Sequence, residues 1–301
     1  MKKSIAFSVF IFLFSLGPSF APGQATQDLQ DLILDVPYVP TAQAVVDEML
    51  RMADVKKGDL LYDLGCGDGR IVITAAQRYG CRGVGVDLNP VRIKESKENA
   101  IKAEVKNLVN FYERDLFKTD FHEATVLSLY LLSSVNLKLR PKILSELKPG
   151  TRVVSHNYGM SEWQPDKSAN VVVNEIIHTV YFWVVAANVT GKWNITLPPK
   201  FRIGALKLEL DQVFQIVQGT AVLDDSPATL SDLILTGDKL QFKLATKEKG
   251  KGEVLLFDGQ LTGNIFKGTV KMGQGTGVEE GVWKGSRDPS TIKSPDKSGK
   301  F

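Results

Sequence analysis

Residues 63–70 read Asp-Leu-Gly-Cys-Gly-Asp-Gly-Arg, between a short apolar run, Leu60-Leu61-Tyr62, and a helical pattern from Ile71 to Tyr79. Few stretches constrain a fold so tightly, because they demand a strand, a glycine-rich turn and a helix in immediate succession. Alternating glycines at 65, 67 and 69 let the backbone turn sharply and come close to a ligand. The helix that starts next offers unpaired N–H groups. A dinucleotide-binding turn would want glycine at 65, 67 and 70. Position 70 is arginine instead, and an acid, Asp63, ends the strand. A second strand pattern, Gly83-Val84-Gly85-Val86-Asp87, ends in an acid about twenty residues past the glycines, where nucleotide-binding α/β folds accept hydrogen bonds from ribose hydroxyls. Leu88-Asn89-Pro90 follows, with Asn89 as a helix cap and Pro90 in the first turn.

The surrounding chain alternates in the same way. Strand patterns fall near 60–63, 82–87, 108–113, 125–129 and 152–156, and helical patterns near 70–79, 90–103 and 134–147. This predicts an α/β fold with a mostly parallel sheet, helices on both faces and a ligand at the carboxyl ends of the strands. Ahead of it, Val36-Pro37-Tyr38-Val39-Pro40 is extended, and Thr41 is expected to cap a helix from Ala42 to Ala53 with Val45, Val46, Met49 and Leu50 on one stripe. Two β-rich runs, Val171–Ile177 and Val180–Ala186, follow with a short link expected at His178-Thr179. Residues 26–188 are therefore one α/β domain. From 189 to 286 helical periodicity disappears and short alternating runs recur between glycine-containing turns, which predicts a separate all-β barrel or sandwich of about a hundred residues. Gly191-Lys192-Trp193 opens this region and Gly281-Val282-Trp283 nearly closes it, so the two tryptophans could plug a small barrel. Residues 287–301 are rich in Ser, Lys, Pro and Gly and are expected to be a disordered tail.

Net charge over the 301 residues is only +3, which leaves no bulk electrostatic footprint for nucleic acid. The two cysteines, Cys66 and Cys81, are too few for a disulfide framework and sit at opposite ends of neighbouring parallel strands. Neither has a pattern that suggests a metal site. At the N-terminus, Lys2 and Lys3 precede the apolar stretch Ile5–Leu16, Gly17-Pro18 breaks it, and small residues follow at Gly23 and Ala25. Residues 1–25 thus have the layout of a secretory signal peptide or a short membrane anchor. Either reading expects an exported or inner-membrane-anchored protein, and the second allows membrane association through this segment.

The Asp63–Arg70 turn with Asp87 resembles the first motifs of class I S-adenosylmethionine (SAM) methyltransferases. The resemblance implies a Rossmann-like sheet that ends in an antiparallel hairpin, with SAM as cofactor. It places Asp63, Gly65 and Gly67 at the amino-acid end of SAM and Asp87 at the ribose. Asp115 follows the third strand pattern and would accept from the adenine amino group, with Leu116 or Phe117 against the ring; a plain turn role for Asp115 is the alternative. The fourth strand runs into Tyr130-Leu131-Leu132-Ser133, on the side expected to receive the methyl acceptor. An Asn-Pro-Pro-aromatic motif is missing there, which disfavours the amide- and base-methylating relatives. Tyr130 and His156, both at strand ends, are the candidate catalytic residues; a core aromatic and a hydrogen-bonded wall histidine are the plainer readings.

A longer series of motifs narrows the resemblance. Tyr38-Val39-Pro40-Thr41, the glycine turn, Asp87-Leu88-Asn89-Pro90, Asp115-Leu116-Phe117, Leu131-Leu132-Ser133-Ser134-Val135, Gly150–Ser155 and Trp163-Gln164-Pro165 occur in order. The set is similar to the protein-lysine methyltransferases that modify the ATP synthase c-subunit and the adenine nucleotide translocase, and to their prokaryotic relatives. It covers residues 36–186 and adds Tyr38, Thr41, Cys66, Leu88 and Asn89 to the implied cofactor site. Those enzymes typically carry glutamate where this chain has Asp87, and have no counterpart of the β-rich region. The implied function is transfer of a methyl group from SAM to a protein, with lysine as the implied target, or to a small molecule. The rival reading is an exported, non-catalytic chain of the same fold whose β region binds a ligand or partner.

Overall fold

A computed structural model describes residues 38–246, 253–273 and 277–296. The expected export segment, 1–25, lies outside the described residues. No helix among those described is long and apolar enough to cross a membrane.

The first half is a seven-stranded sheet with strand order β3-β2-β1-β4-β5-β7-β6. β1 (Leu60–Leu64), β2 (Arg82–Asp87), β3 (Val109–Glu113), β4 (Val126–Leu129) and β5 (Arg152–His156) are parallel. β6 (Lys167–Val173) and β7 (Ile176–Val184) close one edge as an antiparallel hairpin. The helices are α1 (Gln43–Met52), α2 (Arg70–Tyr79), α3 (Pro90–Lys102) and α4 (Ser133–Glu146). The order reverses between β1 and β4, which opens a crevice at their carboxyl ends. Every residue of the central strand β4 is buried, as expected of a strand covered on both faces. The predicted α1 stripe, Val45, Val46, Met49 and Leu50, is fully buried against the sheet.

Two local expectations are corrected. Thr41 does not cap α1: Ala42 holds the cap position without a side-chain hydrogen bond, because the Thr41 hydroxyl is engaged by His156 instead. The β6–β7 turn lies at Asn174-Glu175, not at His178-Thr179. Both turn residues have positive φ, 47° and 67°, as a two-residue hairpin turn requires. His178 is therefore inside β7.

The second half is a closed antiparallel barrel of eight strands in the order β10-β11-β12-β13-β14-β15-β8-β9. They are β8 (Gly191–Thr196), β9 (Leu206–Val213), β10 (Ile216–Leu223), β11 (Ser226–Thr236), β12 (Lys239–Thr246), β13 (Glu253–Thr262), β14 (Ile265–Met272) and β15 (Glu279–Arg287). Alternate residues fill its interior with Leu, Phe and Trp. Trp193 and Trp283 both pack on Phe266, with ring centroids 4.6 and 5.8 Å away, and each indole N–H finds a backbone carbonyl. Barrel and sheet share a core. Phe214, in the β9–β10 turn, is 3% exposed and lies 6.1 Å from the Trp163 ring, in the same buried cluster as Trp183.

The expectation of a disordered tail from residue 287 is overturned as far as residue 296. Arg287 ends β15, donates to the carbonyls of Asn188 and Thr190, and stacks over Trp193. Asp288 caps a single turn, and the Lys293 N–H donates to the Thr190 hydroxyl. The composition is tail-like, but these residues satisfy backbone groups where β8 begins. Residues 297–301 lie outside the described residues.

Candidate active site

The glycine turn is built as its spacing demands. Gly65, Gly67 and Gly69 all have positive φ, and a Cβ at Gly67 would lie 2.4 Å from the Tyr38 ring. The turn is anchored from below: the N–H groups of Gly65 and Cys66 both donate to the Val86 carbonyl. Asp87 ties it from the side. One carboxylate oxygen accepts from the Gly67 N–H at 2.9 Å and the other from the Asn89 N–H at 2.9 Å. Asp87 therefore clamps the turn, and each oxygen retains a lone pair for a hydroxyl. Asn89 spends its side chain on capping α3, accepting from the N–H groups of Val91 and Arg92, and Leu88 is half-buried between Asp87 and Asn89.

Asp63, next to last in β1, lies under the turn, 2% exposed, and accepts from the Ser128 hydroxyl at 2.7 Å. Burial raises its carboxyl to about 7; the Ser128 bond opposes this, while the charges of Asp87 and Asp68 add to it. Such a carboxyl fits a site that receives a cation. Cys66 is buried beside it and its thiol is raised far above the ordinary value, by burial and then by Asp63, which makes it a packing group and not a nucleophile. Asp115 accepts from the Phe117 N–H at 2.9 Å through one carboxylate oxygen and faces Lys118 with the other, and Leu116 packs partly buried beside it.

The segment Tyr38–Thr41 joins the turn to the rest of the site. Tyr38 covers Gly67, with the Arg92 guanidinium 4.6 Å over its ring. Arg70, the residue that breaks the dinucleotide pattern, grips Asp68 through two nitrogens and donates to the Thr41 carbonyl at 2.8 Å. Burial would raise Asp68, but the Arg70 contacts win and hold it below the usual carboxylate value. The Thr41 hydroxyl lies 3.2 Å from His156 Nδ1.

Tyr130 and His156 come together: their rings stack at 3.9 Å, with Tyr158 6.1 Å beyond. His156 is 1% exposed, with its second nitrogen 2.9 Å from His178 Nδ1. Burial, helped by His178, lowers His156 to about 4 and keeps it neutral. Burial, and then Tyr158, raises the Tyr130 phenol. Sequence reasoning missed His178, Asn157 and Tyr158. The only signal for His178 was its two-residue spacing from Val180, which pairs with His156 and so shares its face of the sheet.

Switch-point crevice, glycine turn and acid at the second strand define a Rossmann-like methyltransferase of the SAM-dependent class. A family model described as the ANTKMT methyltransferase domain matches residues 63–167. A protein-lysine N-methyltransferase of Saccharolobus islandicus is 46% identical over 151 residues, which are 50% of this chain and 94% of that protein. The ATP synthase c-subunit lysine N-methyltransferase of Mus musculus is 33% identical over 152 residues, 50% of this chain and 59% of its own length. A solved structure described as an RNA methyltransferase from Salinibacter ruber in complex with S-adenosyl-L-homocysteine is 52% identical, covers 49% of this chain and 94% of its own, and has a TM-score of 0.46. The chain belongs to the protein-lysine N-methyltransferase family of the Saccharolobus islandicus relative.

Proposed function

We propose that the chain transfers a methyl group from SAM to an amine on a protein, the side chain of a lysine. The observation that carries this is the clamped glycine turn, joined through Tyr38–Thr41 to the Tyr130–His156 pair. The residues fit the cofactor. Glycines 65 and 67 let Leu131 and Tyr38 pack directly on the turn backbone, where any Cβ would clash with them, Asp63 offers a carboxyl to an ammonium, and Asp87 has acceptor capacity for ribose hydroxyls. Asp115 and Leu116 border the adenine end. When bound, SAM supplies an electrophilic methyl on a positively charged sulfur. Direct displacement needs alignment above all, so the side chains contribute chiefly by positioning. A lysine ammonium must lose a proton before its nitrogen can attack. Leu131, Leu132 and Tyr130 give an apolar border suited to an aliphatic stem, and desolvation there lowers the amine's pKa. The family relationship supports a protein acceptor, since the relatives carry that activity in their names.

Calorimetric titration with SAM tests the cofactor site. Asp87→Ala is expected to weaken binding by about 1–3 kcal/mol, because a charged acceptor is removed. Unchanged affinity in a folded variant would take Asp87 out of the site. Labelled SAM with a membrane-protein extract tests the acceptor: methyl-lysine after acid hydrolysis supports the reading, and label in small molecules alone overturns the protein acceptor while leaving the SAM site intact.

A further inference from the structure

We propose that His178 accepts the proton from the acceptor amine, held in the required tautomer by His156 and Thr41; this rests on the lysine reading above. Strand register brings the two histidines together. His156 is the last residue of β5 and pairs with Val180. His178 lies two residues earlier on the antiparallel β7, so it projects beyond the carboxyl ends of the parallel strands, on the same face as His156. It is half-buried, where His156 is 1% exposed.

The hydrogen bonds then form a directed chain. Thr41 Oγ1 is 3.2 Å from His156 Nδ1, and His156 Nε2 is 2.9 Å from His178 Nδ1. Only one proton can occupy the link between the two rings. If His156 donates it, the neutral His178 carries its proton on Nε2 and has no outward lone pair. If His178 donates from Nδ1, its Nε2 is a bare acceptor, and His156 passes its own Nδ1–H to the Thr41 hydroxyl. Both hydrogen-bond contacts of His178 among the described residues are at Nδ1, to His156 Nε2 at 2.9 Å and to the Asn157 amide nitrogen at the much longer 3.5 Å, and its Nε2 has none. A protonated His178 must carry hydrogen on both nitrogens, so the second arrangement is the one compatible with its acting as a base. His156 accepts that Nδ1–H and stays neutral, since burial and the charge on His178 both disfavour its protonation. The arrangement orients one histidine with another instead of with a carboxylate.

The step balances. An N–H bond of the acceptor's ammonium breaks, leaving the neutral amine, and the proton forms an Nε2–H bond on His178. The freed lone pair then forms the N–C bond as the carbon–sulfur bond breaks and its electron pair stays on sulfur. His178 returns its proton to water. The titratable group that faces His178 is His156 on β5, and Asn157 is its uncharged polar neighbour; Tyr130 after β4 and Thr41 contact His156, and Tyr158 lies beyond Tyr130.

The chain has only three histidines, so nitrogen-15 NMR of the purified protein reads their tautomers directly. The expected result is a neutral His178 protonated on Nδ1. A neutral His178 protonated on Nε2 would overturn the assignment, with no reference to activity. Kinetically, His178→Ala is expected to lose about 10²- to 10⁴-fold in labelled methyl transfer to a membrane-protein extract at neutral pH. SAM affinity by calorimetry should be unchanged, and added imidazole should restore part of the rate. The deficit should shrink as pH rises, because more of the amine is already deprotonated. His178→Gln, which can still donate to His156, is expected to show the same deficit. Rates within about twofold of wild type in both variants at every pH would sink the proton-acceptor role but not the lysine reading, since the loss expected of a missing base is far larger. Absence of methyl-lysine with the wild-type chain would sink both.

Discussion

The sheet region buries Asp59, Asp63, Asp68, Asn136, Arg140, Ser155 and His156, whereas the polar side chains buried in the barrel are Thr190, Gln212 and Thr246. The two halves thus use their interiors differently. In the sheet region buried polar groups converge on the carboxyl ends of β1, β4 and β5, where Asp63 accepts from Ser128, Arg70 grips Asp68, and His156 contacts Thr41 and His178. Asp59, away from that end, is paired with Arg152. The barrel interior holds aromatic and aliphatic groups with no buried carboxylate among the described residues. Gln212 belongs to the junction: its amide donates to the Ala187 carbonyl, and its oxygen accepts from the Val189 N–H. Buried polarity that costs free energy is concentrated where a ligand can use it, and the barrel supplies packing.

The seam between the halves is the sharpest place to break this comparison. Phe214 sits in a positive-φ turn, stacks on Trp163, and lies under the Arg140 guanidinium at 5.3 Å. Gly237 approaches Gly150 so closely that a Cβ would stand 3.0 Å from its Cα. Phe214→Ala empties a fully buried aromatic site and is expected to cost about 3–5 kcal/mol. Calorimetry should show one cooperative transition, lowered as a whole. Two separate transitions, with only the barrel's moved, would show that the halves fold independently despite the shared cluster.

How much of this was legible in sequence depended on how local the cause was. The glycine turn, Asp87 and the Asn89 cap of α3 follow from spacings of a few residues, and alternation alone foretold the sheet and the β-rich half. His178 was misplaced because His-Thr reads as a polar break between apolar runs, while the actual turn, Asn174-Glu175, contains a residue that seldom marks one. Nothing local to Phe214 says that another region supplies its core. Arg287 and Thr291 were hidden inside a tail-like composition, since their partners at Asn188, Thr190 and Gly191 are about a hundred residues away. Thr41 looked like a cap because its true partner, His156, is equally remote in the chain.

A smaller effect separates the halves by function. Gly259 in β13 faces Trp283, and a Cβ there would come within 2.3 Å of the indole. Gly259→Ala is expected to destabilise the fold by about 1–3 kcal/mol through overpacking. SAM affinity should remain at the wild-type value, because Trp283 packs only within the barrel cluster. A large loss of SAM affinity in the folded variant would mean that barrel packing reaches the cofactor turn.

The last contrast is in pH. Burial raises Asp63 to about 7 from an ordinary 3.8, so the folded chain holds a proton there that the unfolded chain releases at a lower pH. The stability from this group is fully present below the ordinary value and is lost as pH rises through about 7. Ligand binding has the opposite sign. A bound ammonium favours the carboxylate, so below about 7 binding must first displace the proton. SAM affinity is therefore expected to rise by up to about tenfold per pH unit, equivalent to roughly 1.4 kcal/mol, as pH approaches 7, and then to level off. Asp63→Asn should bind weakly and with no such slope between about pH 5.5 and 7.5, since it cannot ionise. The barrel adds no matching dependence, because no carboxylate is buried in its interior among the described residues. Calorimetric titrations across that range check the prediction. A flat wild-type profile, or a slope that survives in Asp63→Asn, would move the ammonium contact away from Asp63 and leave its burial beneath the glycine turn a matter of structure alone.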